Sequence, residues 1–355
     1  MRRFTAIFAA LLFVLISQSQ CVLAVVTVAP SDPHIAYVGR FTDDFRFGWT
    51  GSAMRLRFDG TSAAANLSLT IGDKAAMQVI VDGRPTKTLI ITPAQSRYDL
   101  AADLPAGPHT IELFKRTEGF YGELKFAGFE LSDDAKPLSL PPVDRRILII
   151  GDSITCGYGN EAATVAEGLT VENENGYMAY GPIAARAVQA DILMLCWSGR
   201  GIHRTRGLKN DRDGLMPSFL DKPLPMNPRI TCDPASYVPN IIVINLGTND
   251  LFRGPKNEKP ELTKEQYLGD YRAFIQRLHQ LHPDAQIIAA IGPMEVEPLD
   301  TWLADLDQQY PYVHHLVFEK FRGREEIGGH AHPSVKGHQR MADELTAEIR
   351  KLTGW

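Results

Sequence analysis

The hydrophobic periodicity of this chain changes near residue 140, and that change restricts it to a two-part fold. Before it, apolar residues alternate with polar ones. Met54, Leu56 and Phe58 do so, as do Met77, Val79 and Val81 ahead of the turn Asp82-Gly83. Ile111 and Leu113 follow Gly107-Pro108, and Leu124 and Phe126 follow Gly122. A period of two broken by Gly-rich turns predicts antiparallel sheets with one solvated face. No helical pattern interrupts them, so residues 30–135 are expected to form a β-sandwich of the jelly-roll kind. Residues 136–144, with Pro137, Pro141 and Pro142, are expected to be the linker.

After the linker the strands become continuously apolar. Arg146–Ile150 runs into Gly151, Ile241–Asn245 into Gly247, and Gln286–Ile291 into Gly292-Pro293. Ile192–Leu195 and His315–Glu319 are weaker candidates of the same kind. Helical spacing separates them, with Tyr267, Tyr271, Phe274, Leu278 and Leu281 in one stretch and Val335, Met341, Leu345, Ile349 and Leu352 in another. Buried strands alternating with helices predict a parallel sheet covered on both faces over residues 145–355. Ligands of such sheets gather at the strand C-termini.

Residues 1–24 read as a signal peptide. Arg2 and Arg3 precede an apolar run from Phe4 to Ile16, and Val22 and Ala24 supply small residues before a cleavage point. The run is shorter than the roughly 20 residues a membrane span needs. Cleavage would lower the basic residues from 37 to 35 against 42 acidic ones, a formal charge of −7. A secreted or periplasmic location follows as an expectation, with no stable membrane insertion. The acidic balance excludes a strongly basic nucleic-acid-coating protein. Cys156, Cys196 and Cys232 would remain, an odd number whose pairing the sequence does not specify. His330 and His332 have no evident third ligand, so no metal is expected.

Four short segments stand where chemistry is expected. In Gly151-Asp152-Ser153 a serine follows a buried strand, placed to act as a nucleophile or as a helix N-cap. In Trp197-Ser198-Gly199-Arg200 a glycine can bring a backbone N–H close to a ligand, or simply turn the chain. In Gly247-Thr248-Asn249-Asp250 the Asn249 amide is either an oxyanion donor or a turn brace. In Gly328-Gly329-His330-Ala331-His332-Pro333 a loop histidine suits a general base.

Taken in this order the four segments resemble the SGNH or GDSL hydrolases, whose fold is a flavodoxin-like α/β/α domain. Carbohydrate esterase family 2 is the closer resemblance, because its members join an N-terminal jelly roll to such a domain. Gly151–Gly159, Glu174–Gly181, Trp197–Gly201, Gly107–Ile111 and Lys115–Glu118 all look like that family. The resemblance implies Ser153 as nucleophile, His332 as base, and Ser153, Gly199 and Asn249 as the oxyanion hole. It also implies removal of acetyl groups from polysaccharides or oligosaccharides such as acetylated xylan and glucomannan, without a cofactor. A different SGNH esterase, lipase-like in its acyl preference, and a noncatalytic carbohydrate-binding protein are the alternatives. Trp197, Arg200, Tyr177 and Tyr180 are candidate sugar contacts, each with core packing as the plainer role.

One departure from the family pattern is local. The acidic residue expected three positions before the histidine is replaced by Gly329. The resemblance then implies a Ser-His dyad, with the histidine oriented by a main-chain carbonyl near Ala331. Glu325, Glu326 or a distant Asp300, Asp305 or Asp307 are the rival orienting groups.

Overall fold

The computed structural model describes residues 25–254, 256, 258–294 and 296–355; the expected signal peptide, residues 1–24, lies outside them. The first part carries β1 (Val26–Val28), β2 (Ile35–Val38), β3 (Arg46–Phe47), β4 (Ala53–Asp59), β5 (Ala63–Gly72) and β6 (Ala75–Val81). It continues with β7 (Arg84–Ile91), β8 (Arg97–Ala101), β9 (Pro108–Lys115), β10 (Gly122–Leu131) and β11 (Lys136–Leu138). One antiparallel sheet runs β1-β10-β5-β8 with β3 beside β10, and the other β11-β4-β9-β6-β7 with β2 beside β4. The alternating residues face inward in register: Met54 lies opposite Leu113 and Leu56 opposite Ile111, all buried. A bulge at Phe126–Gly128 resets the alternation of β10, so both Phe126 and Phe129 enter the core.

The sandwich extends past its expected limits. Val26–Val28 pairs with β10, and Lys136–Leu138, placed in the linker by its proline, pairs with β4. Because β11 pairs with β4 on its other side from β9, Pro137 sits in a strand at the end of the β11-β4-β9-β6-β7 order, where proline is tolerated.

The second part contains β12 (Arg146–Gly151), β13 (Asp191–Cys196), β14 (Ile241–Asn245), β15 (Gln286–Ile291) and β16 (Val313–Val317). All pair in parallel in the order β13-β12-β14-β15-β16. β16 begins two residues before the expected strand. Helices α1 (Ser153–Cys156), α2 (Tyr180–Ala187), α3 (Lys264–Leu281), α4 (Leu299–Gln309) and α5 (Val335–Thr353) complete it. α3 starts at a capping box made by Thr263 and Gln266, and α5 at Ser334, whose side chain accepts from the Gly337 N–H. Buried residues of α3 and α4 fill one face of the sheet, and those of α2 and α5 the other. This strand order reverses direction between β12 and β14, which opens a crevice at their C-terminal ends. Among the described residues no helix is long and apolar enough to cross a membrane.

The two parts are packed together. Val38, Ala53, Ile80 and Phe114 of the sandwich join the α2–α5 core cluster. Trp49 donates its indole N–H to the Lys222 carbonyl at 2.9 Å, and Arg40 donates to carbonyls of Phe219, Leu220 and Lys222. Arg55 of β4 pairs with Asp191 of β13.

Candidate active site

β12 ends at Gly151, where a side chain has no room: an added Cβ would lie 1.9 Å from Thr155 Oγ1. The chain then turns into α1. Asp152 caps it, its Oδ1 accepting from the Ile154 N–H at 3.0 Å. That cap leaves Ser153 as the first helical residue, buried to 7% exposure, with a hydroxyl free for another partner. The partner is His332, whose Nε2 lies 2.8 Å from Ser153 Oγ.

His332 stands on a loop of unusual shape. His330 and Ala331 both take left-handed backbone conformations, at φ +48° and +62°. Each such non-glycine residue costs on the order of 1 kcal/mol, so the surroundings must hold it. They do: the Gly329 N–H donates to the Gly159 carbonyl at 2.9 Å, the His330 N–H to Val165 at 2.8 Å, and the Gly328 N–H to His332 at 2.7 Å. The result aims the His330 carbonyl at His332 Nδ1, 3.2 Å away. A carbonyl can only accept, so Nδ1 carries the proton and Nε2 is left to accept from Ser153. The orienting carbonyl belongs to His330, next to Ala331.

No carboxylate oxygen bonds to either His332 ring nitrogen among the described residues. The five rivals are engaged elsewhere. Glu325 pairs with Lys336, Glu326 with Arg340, and Asp305 with Lys264. Asp300 accepts from the Thr301 N–H and Asp307 from the His315 N–H. Burial pushes the His332 pKa down to about 4, partly offset by backbone acceptors at His330 and Gly329. Tyr158 stacks on the ring, with centroids 4.1 Å apart and planes 23° from parallel, and its hydroxyl shares a 2.9 Å hydrogen bond with His330 Nδ1. His330 and His332 thus point at Tyr158 and Ser153, and no group of His, Cys, Asp and Glu among the described residues is arranged to hold a metal.

Asn249 follows β14 and is buried. Its amide donates to Asp152 Oδ2 at 3.0 Å and to the Arg200 carbonyl at 2.9 Å, so it ties the first segment to the second. Burial pushes the Asp152 carboxyl up to about 7, opposed by the Ile154 N–H and reinforced by the charges of Asp250 and Glu118. Gly199 has φ +79° and its carbonyl accepts from the Arg206 N–H at 2.7 Å. Neither the Gly199 nor the Ser153 backbone N–H donates to another described residue. Asp250, fully buried, gathers the N–H groups of Ile202, His203 and Arg204 and so holds the chain just beyond Gly199.

The four candidate sugar contacts divide. Trp197 and Arg200 are half-buried, with the Arg200 guanidinium 5.2 Å over the Trp197 ring and Phe219 packed beside both. Tyr177 and Tyr180 are corrected to packing residues. Tyr180 is wholly buried behind α1, its hydroxyl 3.0 Å from Thr155 Oγ1 and its ring stacked on His338. Tyr177 is covered by the Arg186 guanidinium at 3.9 Å and lines an interdomain crevice with Arg55, Glu112 and Asp191, away from Ser153 and His332. Its aromatic type was readable in sequence; its burial arises from the sandwich packing over it. Beside the candidate site a cavity of about 710 Å³ is lined by Leu251, Met294, Val296, Phe321 and Ala331. Sequence reasoning assigned no role to Tyr158 or Asp250, although both lie within the recognised segments.

Residues 37–141 match the family model described as carbohydrate esterase 2 N-terminal, and residues 149–340 match the GDSL-like lipase/acylhydrolase family. The chain is 35% identical to the cellulase/esterase CelE of Acetivibrio thermocellus over 91% of its own length, and spans 40% of that longer protein. An acetylxylan esterase/glucomannan deacetylase of Cellvibrio japonicus is 27% identical, with 93% of this chain and 92% of that one aligned. A solved family two carbohydrate esterase from Clostridium thermocellum, in complex with cellohexaose, superposes with a TM-score of 0.82 at 34% identity, covering 90% of this chain and 99% of that one.

Proposed function

This chain belongs to carbohydrate esterase family 2, within the GDSL hydrolases, and from that membership we propose a secreted or periplasmic serine esterase that removes O-acetyl groups from plant-type polysaccharides or oligosaccharides. The observation that carries the reading is the 2.8 Å pair of Ser153 Oγ and His332 Nε2 at the C-terminal crevice of the parallel sheet. The relatives named for acetylxylan and glucomannan supply the substrate class.

The reaction follows from the groups present. His332 Nε2 takes the hydroxyl proton as Ser153 Oγ attacks the acetyl carbonyl. The Ser153 and Gly199 N–H groups and the Asn249 amide face the oxyanion of the tetrahedral intermediate. His332 returns the proton to the departing sugar oxygen, leaving acetyl-Ser153. Water, deprotonated by His332, then releases acetate and restores the serine. The His330 carbonyl holds the imidazole in the required tautomer throughout. Trp197 and Arg200 are the proposed sugar contacts on one side.

The test is acetate release from acetylated xylan, acetylated glucomannan and an aryl acetate, beside a long-chain aryl ester. Turnover of the acetylated substrates that exceeds the long-chain ester is expected. Preference for the long chain would replace this reading with a lipase-like one, and binding of the acetylated polysaccharides with no acetate release from any substrate would replace it with a binding protein.

A further inference from the structure

The Lys115–Glu118 segment of the sandwich takes no part in the chemistry above, yet it reaches the site. Glu118 follows β9, is 1% exposed, and directs its carboxylate into the other domain. Oε2 accepts from the Ser198 backbone N–H at 2.6 Å, and Oε1 accepts from the Ser198 hydroxyl. Both donors belong to the residue immediately before Gly199.

Glu118 is itself held firmly. Its backbone N–H donates to Glu174 Oε2 at 2.9 Å, and its carbonyl accepts from the buried Lys115 ammonium at 3.1 Å. Burying carboxylates and an ammonium at a domain boundary is unfavourable unless each is well bonded. A carboxylate here meets two donors with two acceptors; an amide would turn its NH2 toward one of them. The orientation of the Gly199 N–H depends on the Ser198–Gly199 peptide plane, and therefore on how Ser198 is fixed. Trp197 is anchored just before it, donating its N–H to Gly151 at 3.2 Å. Beyond Gly199, the Arg206 N–H and Asp250 fix the following turn. Gly199 sits between these anchors with its own N–H unengaged.

We propose that Glu118 is a positioning residue for the oxyanion hole, supplied by the sandwich domain. Its bonds to Ser198 set the peptide plane that presents the Gly199 N–H. This rests on the reading of Gly199 as an oxyanion donor. It gives the sandwich a part in catalysis that does not require it to bind carbohydrate.

The experiment uses the full chain with Glu118→Gln and, separately, Ser198→Ala. Three quantities are read: kcat and KM on an aryl acetate, the rate at which an alkyl fluorophosphonate labels Ser153, and the melting temperature. Glu118→Gln is expected to lower kcat at least about tenfold while KM stays within about twofold, because a misplaced donor fails mainly in the transition state. Labelling should slow in parallel, since the phosphonyl oxygen uses the same donors. Ser198→Ala, which removes one of the two bonds, should lower kcat by less. Parental kcat and labelling in folded Glu118→Gln would overturn the proposal, as would a loss confined to KM. If Glu118→Gln does not fold, Ser198→Ala decides, and a parental kcat overturns it. A parental chain inert to both aryl acetate and fluorophosphonate would instead remove the esterase reading itself.

Discussion

The Nδ1 of His332 faces the carbonyl oxygen of His330, two residues back, at 3.2 Å. A neutral acceptor therefore stands where a triad would place a carboxylate. It fixes the tautomer as well as a carboxylate does, but stabilises the imidazolium of the transition state less. Truncation of His332 to alanine should remove nearly all turnover, whereas Glu325→Gln should leave most of it, since the Glu325 carboxylate pairs with Lys336 and does not bond to His332. Steady-state kinetics on an aryl acetate decide this. A large kcat loss in Glu325→Gln would show that the glutamate reaches His332 during the reaction.

The dyad is built into the packing and is not one substitution from a triad. A Cβ at Gly329 would lie 2.9 Å from the Glu167 carbonyl and 3.1 Å from the Ala162 Cβ. Gly329→Asp should therefore lower the melting temperature and fail to raise kcat. Parental stability and faster turnover in the Gly329→Asp protein would contradict the close approach.

In the proposed reaction the Tyr158 ring, stacked on His332, would offer the imidazolium a face in place of the missing charge. Such contacts contribute about 0.5–2 kcal/mol. Tyr158→Phe keeps the ring and loses the hydroxyl with its His330 hydrogen bond, so kcat should fall a few-fold; Tyr158→Leu removes both and should cost roughly tenfold. Equal activity of the two variants would mean that the stack contributes nothing beyond the hydroxyl.

As the proposed base His332 would work only when neutral, and it gains its proton as the pH falls through a pKa that burial has pushed down to about 4. kcat/KM should accordingly stay flat from neutrality to about pH 5 and drop about tenfold per pH unit below about 4. An acid limb centred near 6.5, the ordinary histidine value, would show that His332 is fully hydrated in the free enzyme.

Asn249 donates to Asp152 and Arg200 in the resting site, and the proposed oxyanion role would exchange one of these bonds as charge develops. Asn249→Ala should lower kcat on the order of 100-fold with a smaller change in KM. An unchanged kcat with a raised KM would assign the amide to ground-state binding.

What the amino-acid sequence determined by itself was local or serial. The switch from period-two alternation to continuous apolar strands separated the sandwich from the parallel sheet, and α3 and α5 ran where their apolar spacing placed them. The segments around Ser153, Gly199 and Asn249 follow strands whose ends the hydrophobic pattern marks, and His332 stands just before the last helix, so their order pointed to the strand C-termini. Only the tertiary structure decided the rest. The His330 carbonyl became the orienting group because residues 159–165 hold two left-handed residues in place, a distant effect that loop spacing does not carry. Tyr180 looked available until α1, Phe318 and His338 closed around it. Glu118 and Ser198 are far apart along the chain and lie in different domains. Periodicity encodes which face of an element is buried, but not which side chains from separate elements will share a buried carboxylate.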